Sequence, residues 1–235
     1  MKPLKELAAN LLVVVAVLSA ATMAIMTVRR EFLGRRTGAD RTTVSHEPTK
    51  VEDWQQYSRI GHRIGQRNAS VTIVEFADFE CPGCRAFATQ VLPGIQKEFG
   101  DQVAIVFRHW PLSYHKFAYP TARAAECAAV QGKFESFYSL AYAEQDSLGL
   151  KPYRQFAQQS GVADLDRFDS CVSRPGRVPS IEADIAAVKH LGGEGTPTVL
   201  VNDLLYKGAP DSMRLHDAIV GFLQHKATME TRVAN

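Results

Sequence analysis

The pattern of apolar and polar positions divides the chain into three stretches. Leu7 to Val28 holds no charged side chain over 22 residues and is most apolar at Leu11–Leu18. Residues 29–58 are polar and lack a sustained period, so they read as a linker. From Arg59 onward, short β-branched runs alternate with segments of helical period.

Val71–Phe76 reads as a buried strand. Pro82–Phe99 reads as a helix, with Phe87, Val91, Ile95 and Phe99 on one face and a kink at Pro93. Val103–Phe107 is a second buried strand, and the three elements make a βαβ unit with parallel pairing. A helical block follows over about 116–191. Its helices are Ala118–Val130, Phe134–Ala143, Tyr153–Gln159, Leu165–Val172 and Pro179–His190, separated mostly by Gly and Pro. Thr198–Val201 and Leu204–Tyr206 form a hairpin turning at Asn202-Asp203. Ser212 caps a last helix, Met213–His225, with Leu215, Ile219, Phe222 and Leu223 inward. The folded domain is therefore expected over 59–226, with 227–235 as a tail: an α/β sheet interrupted by helices.

Composition is ordinary for a globular chain of 235 residues, 46% hydrophobic and 22% charged. Twenty-seven Lys and Arg balance 25 Asp and Glu, which gives no reason to expect nucleic acid as a partner. The N-terminal stretch is long enough to cross a bilayer, and Lys2 and Lys5 in segment 1–6 precede it. It can be a cleaved signal peptide, with small residues at Ser19-Ala20-Ala21, or a retained anchor. Because the apolar run continues through Met26, the anchor over 7–28 is favoured. Arg29, Arg30, Arg35 and Arg36 follow the span and by the positive-inside rule would keep that side cytoplasmic. The cysteine usage points the other way, toward an oxidising compartment.

The chemistry sits at Cys81-Pro82-Gly83-Cys84, directly after the first strand. Pro82 suits the first helical position, so Cys81 falls at the cap and Cys84 in the first turn. A thiolate at a helix start meets unpaired N–H groups and the positive end of the dipole, which lowers its pKa. That is the arrangement for reversible thiol–disulfide exchange, with Cys81 as nucleophile. Zinc would need two further ligands at matched spacing, and neither Cys127 nor Cys171 supplies a second CxxC, so no metal is expected there. Cys127 and Cys171 both fall in the helical block, where an exported location favours a structural disulfide between them over two free buried thiols. A loop of about 45 residues closed by such a bridge is worth roughly 4 kcal/mol in the chain-entropy model.

The chain resembles the DsbA-like branch of the thioredoxin superfamily. The resemblance rests on Val71–Cys84, His109-Trp-Pro-Leu112, Ala124–Phe134 and Gly195-Thr-Pro-Thr-Val199, in that order. It implies a thioredoxin fold with an inserted helical domain and a thiol–disulfide oxidoreductase acting outside the cytoplasm. No bound cofactor is required. The implied partners are cysteine-containing exported proteins and a membrane redox partner, either a quinone-linked oxidase or an electron donor. It further implies that Pro197 is the cis-proline beside the redox pair and that the Thr196 backbone pairs with substrate peptide. Pro-Gly between the cysteines departs from the Pro-His of the family's best-known oxidases, so Gly83 offers no imidazolium to the thiolate. The oxidase direction is favoured, with reductase, isomerase or a non-catalytic binding module as alternatives. For Glu75 two readings stand: a buried carboxylate assisting proton transfer to Cys84, as the resemblance suggests, or a solvated edge residue. His109 receives no role. Phe79 and Trp110 can line a substrate surface or pack in the core.

Overall fold

The computed structural model describes residues 47–233, and the segment read as a membrane anchor lies outside them. Among the described residues no helix is long and apolar enough to cross a membrane. Six strands among the described residues form one mixed sheet. They are β1 (Thr49–Lys50), β2 (His62–Ile64), β3 (Val71–Ala77), β4 (Val103–His109), β5 (Thr198–Val201) and β6 (Leu204–Tyr206), in the order β1-β6-β5-β3-β4-β2. Only β3 and β4 run parallel, as the connecting helix requires; β5 returns antiparallel on the other side of β3.

Every residue of β3 is buried, because both faces of the sheet are covered. Ile73 and Ala77 point into the larger core, while Val74 and Phe76 point into a smaller one. Strand alternation puts Glu75 on the same face as Ile73 and Ala77. The helix after β3 starts as α1′s successor in the chain: α1 is the single turn Gln55–Ser58, and α2 is Pro82–Ala86. A π-helical turn, Phe87–Val91, then leads into α3, Leu92–Phe99. The break expected at Pro93 thus lies before it. Leu92 N–H reaches back to the Phe87 carbonyl, a wider turn that accommodates the proline's missing donor.

The helical block comprises α4 (Ala118–Ala129), α5 (Phe134–Ala143), α6 (Tyr153–Gln159), α7 (Leu165–Val172) and α8 (Pro179–His190). A disulfide joins Cys127 on α4 to Cys171 on α7. Helix α8 differs from the others: Val188 and Ile185 cover the smaller core, on the sheet. The buried Arg108 guanidinium of β4 meets the Asp184 carboxylate at 2.7 Å, and Asp184 also accepts the His109 backbone N–H at 2.8 Å. The insertion proper therefore ends before α8.

The fold also begins earlier and ends later than the pattern suggests. β1 pairs with β6, and Tyr57 of α1 is buried, so the segment from Thr49 belongs to the folded unit. The last helix, α9, runs Ser212–Val233 through the expected tail. Its start is fixed by Asp211 rather than Ser212: the Asp211 carboxylate accepts Arg214 N–H at 2.9 Å. At the β5–β6 turn Asn202 adopts φ 47°, and its side-chain oxygen accepts Thr72 N–H at 2.8 Å, locking the hairpin to β3.

Candidate active site

The redox segment is held from both sides before its chemistry begins. Asp78, buried at the end of β3, accepts the backbone N–H of Glu80 and of Leu112, each at 2.7 Å, and His115 Nδ1 at 2.8 Å. Burial pushes the Asp78 carboxyl up, and these hydrogen bonds oppose it. From the helical insertion, Gln145 donates to the carbonyls of Phe79 at 2.7 Å and Cys81 at 3.0 Å. Arg85 of α2 reaches Asp146 at 3.0 Å. Sheet and insertion together thus fix the turn that presents Cys81.

Cys81 is the N-cap residue, with extended backbone (φ −75°, ψ 122°) and Pro82 at the first helical position. Cys84 is fully buried, whereas Cys81 is 8% exposed, so only one sulfur can be approached from solvent. Both are thiols here. Cys81 Sγ donates to the Thr196 carbonyl at 3.4 Å, and the Thr196–Pro197 peptide bond is cis. The Cys81 pKa is drawn down to about 5. The hydrogen bond from the Cys84 thiol is the largest cause; burial opposes it, and Thr196 and the N–H groups of Cys84 and Gly83 add to it. The Thr196 hydroxyl is buried and otherwise unpartnered, which leaves it available to donate to a thiolate. Burial first, then the hydrogen bond to Cys81 and the charge of Glu75, push the Cys84 thiol well above its ordinary value. The two sulfurs are thus driven apart: one ionised at neutral pH, the other protonated.

Gly83 is open. A Cβ there would stand 3.7 Å from Cys81 Sγ and 3.6 Å from Pro197 Cδ, ordinary contacts. Nothing at position 83 therefore forbids a side chain. The low Cys81 pKa arises instead from Cys84, Thr196 and the helix start.

Glu75 is completely buried, which excludes the solvated reading. Desolvation raises its pKa to about 8, against a hydrogen bond from the Tyr138 hydroxyl at 3.3 Å. Its Oε1 has no partner. Tyr142, also buried, donates to the Asp78 carbonyl at 3.3 Å. Phe79 is buried in the larger core, so the substrate-surface reading does not hold for it, whereas Trp110 packs in the smaller core and also lines a cavity of about 440 Å³ with Pro111, Leu112 and Tyr119.

Gln145, Tyr138 and Tyr142 escape a reading of the sequence: their partners lie 63 to 66 residues away, and no motif marks them. Asp78 stands within the Val71–Cys84 motif, but its tie to Leu112, 34 residues on, requires the fold. A second cluster also escapes it. His109 Nε2 meets Glu126 Oε1 at 2.9 Å, and His62 meets the same oxygen. Burial acts to raise the Glu126 pKa, but the two imidazoles overcome it and hold the carboxyl well below the usual range.

A sheet with this βαβ unit, a cis-proline facing a helix-capping cysteine pair, and a helical block between its strands define a thioredoxin-type fold whose dithiol is suited to thiol–disulfide exchange. Residues 58–220 match the family model described as Thioredoxin, and the chain belongs to that family. The fold is similar to oxidised BdbD from Bacillus subtilis, with a TM-score of 0.64 at 23% identity over 77% of this chain and 97% of that one. It is similar to a thioredoxin-like oxidoreductase from Silicibacter pomeroyi DSS-3, at TM-score 0.57 and 28% identity over 69% of this chain and 92% of that one. Wolbachia pipientis alpha-DsbA1 matches at TM-score 0.60 and 21% identity, covering 71% of this chain and 93% of that one. Among curated relatives, a Na(+)/H(+) antiporter NhaA 1 of Mycolicibacterium vanbaalenii is 34% identical over 165 residues, 67% of this chain. The match covers 26% of that antiporter, so the chain spans about a quarter of such a relative and no ion transport is carried over from it.

Proposed function

We propose that this protein forms disulfides in exported, cysteine-containing proteins, from a domain held on the extracytoplasmic side of a membrane by the segment 7–28. The observation that carries the oxidase direction is the depressed pKa of Cys81 beside a protonated, buried Cys84. A stabilised thiolate favours the reduced protein and so makes its disulfide an oxidant.

A substrate thiolate attacks Cys81 Sγ, the exposed sulfur, and the Cys81–Cys84 bond breaks. Cys84 leaves as a thiolate and takes a proton; in this reading buried Glu75, whose charge acts on Cys84, is the proton donor. The second substrate thiolate attacks the substrate sulfur of the mixed disulfide. Cys81 departs as a thiolate that the helix start and Thr196 stabilise. The substrate gains a disulfide, the protein keeps a Cys81 thiolate and a Cys84 thiol, and Glu75 is reprotonated from water. Thr196, at the cis-proline, pairs with the extended substrate backbone. No cofactor takes part; a quinone-linked membrane oxidase then removes the two electrons.

The reduction potential of the Cys81–Cys84 couple tests the direction. A value toward the strong-oxidant end, about −120 mV, supports this reading, and one near −270 mV makes the protein a reductant that draws on an electron donor. The same preparation, oxidised, should transfer its disulfide to a reduced, unfolded test protein, and the Cys81→Ser, Cys84→Ser double variant should not. Retained suppression of aggregation of the unfolded test protein by that variant, at the wild-type level, would favour a binding module.

A further inference from the structure

Three side chains away from the redox pair converge on one point. His62 on β2 and His109 on β4 lie 64 and 17 residues from Glu126 on α4, yet both direct Nε2 at the same carboxylate oxygen. These three atoms all lie within 4.8 Å of one another. The arrangement is built rather than incidental. Strand pairing sets His62 opposite Phe107, two residues before His109, which brings both imidazoles to one face. The His62 ring stacks on Phe134 with centroids 3.6 Å apart. Glu126 Oε2 accepts the Ser180 hydroxyl at 2.7 Å, which orients the carboxylate.

We propose that His62, His109 and Glu126 form a binding site for a divalent transition-metal ion of the zinc class. Two imidazoles and a carboxylate are a ligand set suited to such an ion, and three protein ligands leave the fourth tetrahedral position to water. The ion takes the place between each Nε2 and Oε1 that the hydrogen bonds now occupy, with both imidazoles bound through Nε2. Ligand bonds of about 2.0–2.1 Å separate tetrahedral donors by about 3.3 Å, so His109 Nε2 and Glu126 Oε1, now 2.9 Å apart, need part by only about 0.4 Å. His109 is fully buried, while His62 and Glu126 are partly exposed and can make that movement.

His62 and Glu126 are partly exposed to solvent. Glu126 also lines a cavity of about 240 Å³ between α4, α7 and the segment before α8, which the two histidines do not line. Arg123, Arg174 and Arg177 line that cavity; Arg123 donates to the carbonyls of Arg174 and Gly176, and Arg177 pairs with Glu182 at 3.4 Å. An ion here would join the β2–β4 edge to α4 one residue before Cys127, whose disulfide ties α4 to α7. The site would stiffen the junction between sheet and insertion, and it does not depend on the exchange reaction.

The test uses the full chain with Cys81–Cys84 oxidised, so that no thiolate competes for metal. Titration with Co2+ should show one saturable equivalent with visible d–d absorption of four- or five-coordinate geometry, and Zn2+ should displace it and raise the thermal midpoint. His62→Ala, at a partly exposed edge position, and Glu126→Gln should each weaken that binding at least tenfold. Absence of saturable binding, or an equivalent that survives unchanged in His62→Ala, overturns the proposal.

Discussion

Replacing Gly83 by His probes how the Cys81 thiolate is stabilised. The position is exposed, and its Cβ would make ordinary contacts with Cys81 Sγ at 3.7 Å, Pro197 Cδ at 3.6 Å and the Thr196 carbonyl at 3.9 Å, so the side chain enters without displacing the loop. An imidazolium about 5 Å from the sulfur, at an effective dielectric of about 20, interacts by about 3 kcal/mol. Solvent at this exposed position roughly halves that, to about 1.4 kcal/mol, which is one pKa unit. The Cys81 midpoint should fall from about 5 to about 4. The disulfide should become more oxidising by about 30 mV. Equilibration of wild type and variant against glutathione, with the thiolate followed by ultraviolet absorbance, reads both quantities. The imidazole acts only when protonated, so the difference should be larger at pH 6 than at pH 8, and a neutral Gly83→Gln control should lack it. An unchanged potential, or the same shift in Gly83→Gln, would refute the electrostatic reasoning.

Glu75 should make stability depend on pH. Its folded pKa, about 8, lies above the ordinary 4.5, so its contribution is fully present below pH 4.5 and is lost as pH rises through 8. The full loss is on the order of 5 kcal/mol. Denaturant unfolding of the oxidised protein should therefore show a fall between pH 5 and pH 8 that Glu75→Gln largely removes; an equal fall in the variant would place the titrating group elsewhere. Asp184→Ala leaves the buried Arg108 unpaired and should cost about 3–5 kcal/mol, more than the change caused by any exposed pair such as Arg154–Asp166. Replacing Cys127 and Cys171 together by Ser opens a link between residues 44 apart and should lower stability by about 4 kcal/mol. The potential of the Cys81 couple should stay within error in that variant, and a large shift would mean that the bridge takes part in the redox chemistry.

What could be read from the chain was local. Val71–Phe76, the proline after Cys81 and the Asn202 turn announce themselves because strand burial, cap chemistry and positive φ each act over a few residues. Edge strands β1 and β2 are two and three residues long, too short to carry a period, and so β1 falls in a segment that reads as linker while β2 goes unseen. Asp211 and Ser212 are both good caps, and only the hydrogen bond to Arg214 distinguishes them. The site divides in the same way. Cys81 and Cys84 are legible, whereas the Tyr138 partner of Glu75 comes from α5, 63 residues on, and requires the fold. His109 looks like an unremarkable loop residue until β2 and α4 bring His62 and Glu126 to it.

The decisive quantity is the ionisation of the accessible sulfur. Reduced protein should be alkylated with iodoacetamide over a pH series, and the modified cysteine mapped by mass spectrometry. Modification should appear at Cys81 with a midpoint near pH 5, while buried Cys84 stays unmodified. A midpoint near 9, the ordinary thiol value, or earlier labelling of Cys84, would remove the basis for exchange at this helix start.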